Sequence, residues 1–503
     1  MTIPVVRGQA RRPRADMVLA LLLATHVVLK VVVFPLVAGA PLEGDEAAYV
    51  DGGRALSNLV RDLSSFGPVD MEELRRNVVG SGWFMPGMSV VLTPLFVIDP
   101  DSSVIVIRAY LGVLSSLLLV LTALTVRREL GDLYAGALLV FPGLVPTWLL
   151  FSYSAWGDLW AGLLILVLVT HLIAIMRRLR DGRSPDLRQG TLLGLIAIAA
   201  VYFRSSATLL VFGMLIMIGA STVLLLRGRE RSRGLQFLGS AIAVFVMVLL
   251  PWSTFASQTL DARVVTTTSV PIVLANTFGD TDRVCFGTCD PGSTIWFSPL
   301  RYSREVARAT GRSEVEVQQQ MSAYARTRVT PQSYTREVLS NLGRYTLHPG
   351  GFASSLRSHG ANATGVAVSV AITVVMFFAM LAIVVAMMLA VLRKSFDQQV
   401  VSIALKLGLG ALLAQPLVHL TGSRYWTTAA PLSALAAGLF IQVLRARHLA
   451  NSPDDTSRPT PTAASSTDRS ANRATLSRSL NVTQIALVAA TVLIALVVLT
   501  LSR

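Results

Sequence analysis

Apolar residues run through this chain in long blocks, not at alternate or heptad positions. The blocks cover about 17–38, 103–126, 133–152, 156–176, 188–204, 206–226, 235–256, 365–392, 400–420, 426–444 and 482–501. Many are near the ~20 residues whose helix crosses a bilayer. The pattern therefore predicts an all-α polytopic membrane protein with about 11 transmembrane helices, within a range of 10–12. A membrane barrel would alternate apolar and polar residues, and these blocks do not. Two polar stretches interrupt the series, at about 40–102 and 257–363. In the first, 46–64 carries Val50, Leu56, Leu59 and Val60 at helical spacing, and 84–98 is apolar but short, with Pro86 and Pro94. Both read as helices lying in the interface. The second reads as a larger outer loop between spans seven and eight. Residues 447–478, rich in Ser, Thr, Pro, Asp and Arg, read as a disordered cytoplasmic linker. That division leaves 1–446 as the main transmembrane domain and 479–503 as a C-terminal transmembrane helix.

Composition sharpens the class. Only 15% of residues are charged, against about 25% in soluble domains, which excludes an ordinary soluble enzyme. The net charge of +15 would suggest nucleic acid in a soluble protein. Here the basic residues fall in alternate short loops: Arg127 and Arg128; Arg177, Arg178, Arg180 and Arg183; Arg227, Arg229, Arg231 and Arg233; Arg393 and Lys394; Arg445 and Arg447. Positive charge marks the cytoplasmic side, so the partner is the lipid bilayer and no nucleic acid is expected. The N-terminus is then cytoplasmic, with 40–102 and 257–363 on the extracytoplasmic face of the plasma (inner) membrane. Cys285 and Cys289 share the second outer stretch. They are too few for a multi-cysteine metal site. They read as a disulfide if that loop meets an oxidising compartment, and as two free thiols otherwise.

Several polar groups on the outer side can carry chemistry. Asp45 and Glu46 follow the first span; adjacent carboxylates serve as base, proton carrier or metal ligand, or simply favour a helix N-terminus. Arg204 sits between two apolar runs with no room for a loop, a costly place unless it pairs, faces a polar cavity or snorkels. Arg424 lies at the outer end of a span, where positive charge is unexpected, with Tyr425 and Trp426 as interfacial aromatics. Asp158 opens another span and suits capping as well as a site. His348 precedes Pro349 in the outer loop and reads as a surface residue or a substrate contact. Guanidinium groups bind phosphate bidentately, and carboxylates on the same face supply a base. The combination suggests transfer chemistry on a lipid phosphate. No P-loop or glycine-rich nucleotide fingerprint is present.

These residues, in this order, resemble the GT-C superfamily of polyprenyl-phosphate-sugar glycosyltransferases, near the bacterial relatives of protein mannosyltransferases and of the lipid A aminoarabinose transferase. Gly44-Asp45-Glu46-Ala47-Ala48-Tyr49 resembles the acidic first-loop motif. Met85-Pro86-Gly87-Met88 with Leu92-Thr93-Pro94-Leu95 resembles the second juxtamembrane helix. Ser154 to Leu159, Tyr202-Phe203-Arg204-Ser205, Pro251-Trp252 and Arg424 to Pro431 resemble later elements. Arg204 is followed by Ser205 where the family has proline.

The resemblance covers roughly 15–445 and implies a GT-C-like fold. It also implies an inverting transfer from a polyprenyl-phosphate sugar donor to an extracytoplasmic glycan, lipid or protein acceptor. Asp45 would be the base, Glu46 a secondary acid, Arg204 and Arg424 the phosphate ligands, and Asp158, Tyr49, His348 and Tyr425 further substrate or metal contacts. Metal dependence varies across the superfamily, so a divalent ion stays open. Two other classes fit part of the pattern. A lipid-linked oligosaccharide flippase would place charge at mid-membrane depth. A polymerase or ligase using diphosphate-linked glycans would rely on outer-loop groups such as Arg344 and His348.

Overall fold

A computed structural model describes residues 13–42, 44–284, 297–348, 362–393, 395–418, 424–450 and 467–501. Regular structure among the described residues is helical throughout. Nine helices among them are long and apolar enough to cross a membrane. Their outward faces carry residues such as Leu21, Ile216 and Val375, each two-thirds or more exposed, as expected where lipid takes the place of a protein partner. The chain is a multi-pass helical membrane protein.

Two expected spans are missing from those nine, for local reasons. The stretch 133–152 is divided into Asp132–Val140 and Pro146–Phe151. Phe141 is extended because the residue before a proline is pushed out of the helical region. The stretch 188–204 forms Leu187–Phe203, which has 17 residues. At 1.5 Å per residue that is about 25 Å, short of a ~30 Å hydrocarbon core. The last helix begins at Thr467, so the end of the segment read as a linker is helical. Residues 451–466 of that segment lie outside the described residues.

The first polar stretch holds the helix Asp45–Ser64, a short turn at Met71–Leu74, and the helix Gly87–Ile98. Asp70 caps the short turn by accepting from the backbone N–H of Glu72 and Glu73, each at 2.9 Å. Asp45–Ser64 packs along Gly87–Ile98, burying Val50 and Ala55 on one side and Leu92 and Phe96 on the other. The described parts of 257–363 are also helical, at Ser269–Phe278, Phe297–Thr310, Glu314–Ala325 and Pro331–Leu347.

The helix Asp158–Arg180 is the centre of the packing. It is buried along most of its length, against Val104–Leu130, Leu187–Phe203, Ala207–Leu225, Phe396–Leu413 and Trp426–Ala450. Two glycines permit close crossings at its N-terminal end. A Cβ on Gly157 would collide with the carbonyl of Phe203, and one on Gly162 would lie 2.6 Å from the carbonyl of Thr428. The backbone can approach this closely only where no side chain intervenes. These crossings bring the start of Asp158–Arg180, the end of Leu187–Phe203 and the start of Trp426–Ala450 to one place.

Substituting Gly162→Val should therefore push Trp426–Ala450 outward and lower stability by about 1–3 kcal/mol, the usual range for overpacking. Thermal unfolding in detergent measures it; a melting temperature equal to that of the unsubstituted protein would contradict the close crossing.

Candidate active site

The three converging helix ends each deliver a charged group. Asp158 is the first residue of Asp158–Arg180. Arg204 follows Phe203 in extended backbone, where the preceding helix stops and Ala207–Leu225 has not begun. Arg424 precedes the helix that starts at Trp426. A fourth charge, Asp45, comes from the first turn of Asp45–Ser64, where the helix dipole favours a carboxylate.

These groups form one chain of contacts. Arg424 Nη2 donates to Asp45 Oδ2 at 2.6 Å, and its Nε lies 3.9 Å from Asp158 Oδ2. Asp158 is also ion-paired with Arg204 and accepts from Thr428 Oγ1 at 3.4 Å. Arg204 Nε donates to Ser206 Oγ at 3.2 Å, and its Nη2 reaches Gln415 Oε1 at 3.4 Å. Aromatic faces complete the seats of both arginines. The Arg204 guanidinium lies 4.1 Å from the Tyr425 ring centroid, and that of Arg424 lies 4.7 Å from the ring of Trp156, within cation–π range.

Burial and charge set the electrostatics. Burial pulls the Arg204 guanidinium below its ordinary range, with Tyr425 opposing and Arg424 adding to the fall. Burial also pulls on Arg424, but Asp45 and Tyr425 outweigh it, and the net direction is up. Burial, aided by the Asp45 charge, raises the Tyr49 phenol. Tyr49 thus keeps its proton and can donate a hydrogen bond at neutral pH.

Asp45, Asp158, Arg204, Arg424, Tyr49 and Tyr425 all line a single cavity of about 660 Å³. Part of its wall is apolar, with Val79, Phe84, Met85 and Val273. Another part is basic and polar: Arg76, Ser81 and Arg304 also line it, and Arg304 donates to Ser81 Oγ from Nε at 3.1 Å. Six of the residues singled out in the sequence are therefore brought together. Among the described residues, no three His, Cys, Asp or Glu side chains gather as a metal-binding group. Three carboxylates line the cavity, and each already faces an arginine: Asp45 faces Arg424, Asp158 faces Arg204, and Asp51 lies 3.8 Å from Arg54, so this donor set does not fit a divalent ion.

Glu46, expected beside Asp45 as a second acid, is elsewhere. Consecutive helical residues point about 100° apart, and Glu46 turns into the interior, 3% exposed. It pairs with Arg108 at 3.3 Å and accepts from the Ala155 N–H at 2.8 Å. Arg108 in turn donates to the carbonyls of Ala40 and Pro41, at 2.9 and 2.8 Å. Glu46 thus ties the acid-bearing helix to Val104–Leu130 and to the Tyr153–Ala155 turn, and does not line the cavity. His348 ends Pro331–Leu347, is exposed, and does not line the cavity either. Cys285 and Cys289 lie outside the described residues.

Sequence reading missed Arg108, Trp156, Thr428, Gln415, Arg76 and Arg304. Arg108 carries a usable signal, a lone charge within an apolar block. The others are ordinary polar or aromatic residues whose role arises from tertiary contacts.

No family model matches this chain, and no curated protein matches it. Among solved structures it is similar to the Archaeoglobus fulgidus oligosaccharyltransferase, solved in complex with zinc and sulfate. The identity is 15% and the TM-score 0.44, over 94% of this chain and 52% of that one. The chain spans about half the length of that protein.

The buried Glu46–Arg108 pair has a direct test. Arg108→Ala leaves an uncompensated buried carboxylate and should cost about 3–5 kcal/mol, while Arg108→Met combined with Glu46→Leu should recover much of the loss. Unfolding midpoints in detergent report both; an Arg108→Ala protein as stable as the unsubstituted one would show the pair to be dispensable.

Proposed function

We propose that this chain is a membrane glycosyltransferase of the GT-C type. It transfers a sugar from a polyprenyl-phosphate donor to an acceptor hydroxyl on an extracytoplasmic glycan, lipid or protein. The observation that carries this reading is the meeting of Asp45 with Arg204 and Arg424 at one cavity, from positions 379 residues apart at the extreme. Two guanidiniums suit a phosphate, and a carboxylate beside them suits a base. The apolar wall suits the prenyl chain close to its phosphate.

The residues divide the work as follows. Asp45 takes the proton of the acceptor hydroxyl. The acceptor oxygen forms a bond to the anomeric carbon while the bond from that carbon to the phosphate oxygen breaks. The electron pair of the broken bond stays on the polyprenyl phosphate, whose growing charge Arg204 and Arg424 stabilise. Attack opposite the leaving group inverts the anomeric centre. Asp158 holds both arginines in place, and Tyr49 offers its phenol as a donor to the substrate. No step passes through a metal ion.

A deletion strain complemented with variants, read by its envelope glycan profile, tests the assignment. Asp45→Asn should lower transfer by about 10²–10⁴-fold, the usual share of a general base. Arg424→Ala should lower donor affinity, because a charge-assisted phosphate contact is lost. Full transfer by Asp45→Asn would remove the base, and unchanged donor affinity in Arg424→Ala would remove the phosphate site.

A further inference from the structure

The four charges at the centre of the cavity sum to zero: Asp45 and Asp158 against Arg204 and Arg424. A sugar phosphodiester adds one negative charge, and both guanidiniums already face carboxylates. For the phosphate to take a full share of Arg204 or Arg424, one carboxylate has to give way.

The two acids differ sharply in how easily they can. Asp158 is buried, paired with Arg204, close to Arg424 and bonded to Thr428. Separated from its partners, it would be an uncompensated charge in the interior. Asp45 has 27% of its side chain exposed and stands on the cavity wall. Separated from Arg424, it turns to water and keeps the favourable end of its own helix dipole. Arg424 has less freedom to move. The ring centroids of Trp156 and Tyr425 lie 4.7 and 5.3 Å from its guanidinium, and Asp158 lies 3.9 Å from its Nε. The Nη2 that donates to Asp45 is the part of the fork turned to the cavity acid.

We propose that Asp45 and the donor phosphate compete for the same side of the Arg424 guanidinium, so that donor binding itself releases the catalytic base. This inference rests on the donor-phosphate reading above and adds regulation to it. While Asp45 Oδ2 accepts from Arg424 that oxygen is occupied, and once released it is free to meet the acceptor hydroxyl. Proton abstraction is thereby coupled to the presence of the donor. After transfer Asp45 carries the acceptor's proton and is neutral.

Competition makes a prediction opposite in sign to that of an ordinary ligand. Binding of a polyprenyl monophosphate to the full-length protein in detergent is measured for the unsubstituted chain, Asp45→Asn, Asp45→Ser, Asp158→Asn and Arg424→Ala, with thermal unfolding to confirm folding. Both Asp45 variants should bind more tightly than the unsubstituted protein, by roughly two- to fivefold, the worth of a partly exposed ion pair. Asp158→Asn should bind more weakly, because it loosens both arginines. Asp45 variants that bind equally or more weakly, while Arg424→Ala weakens binding, would overturn the competition and leave the phosphate site standing. No binding by the unsubstituted protein, or undiminished binding by Arg424→Ala, would overturn the phosphate site and the competition together.

Discussion

A carboxylate buried at a crossing of helices cannot be left without a partner, and Asp158 is that carboxylate. It opens the most enclosed of the nine apolar spans among the described residues, so its charge must be met by groups brought from elsewhere in the chain. Arg204 and Thr428 meet it, and Arg424 lies just beyond. The glycines at 157 and 162 let the backbones carrying these groups approach closely enough. The same close crossings that satisfy one buried acid therefore assemble two guanidiniums at the cavity. Asp45 joins them from a separate helix, Asp45–Ser64. That helix is anchored by a second buried ion pair, Glu46 with Arg108.

How much of this could be read from the sequence depends on the physics behind each feature. Long spans are written plainly, because bilayer thickness imposes a length and lipid imposes apolarity. Arg204 and Arg424 stand out because a charge is costly where each of them sits. The division at Pro142 was equally present in the sequence. It is masked by the apolarity of its surroundings, which reads as one continuous block.

Asp45 and Glu46 show a different limit. They are adjacent and chemically alike, and only the rotation of their helix relative to its neighbours sends one to the cavity and the other to Arg108. That rotation is fixed by packing against Gly87–Ile98 and Arg75–Val79, not by the pair itself. Arg76 and Arg304 are less legible still, since they join the cavity wall from two separate segments with no local pattern of their own.

The central claim is spatial: one acid and two arginines, remote in sequence, surround the place of a phosphate. An experimental structure of the full-length protein in lipid nanodiscs with a bound polyprenyl phosphate examines it most directly. The account predicts phosphate oxygens within about 3 Å of guanidinium nitrogens of Arg204 and Arg424, the prenyl chain along the apolar wall, and the Asp45 carboxylate turned from Arg424 toward the open cavity. A phosphate held elsewhere, with Asp45, Asp158, Arg204 and Arg424 still closed on one another, would contradict it.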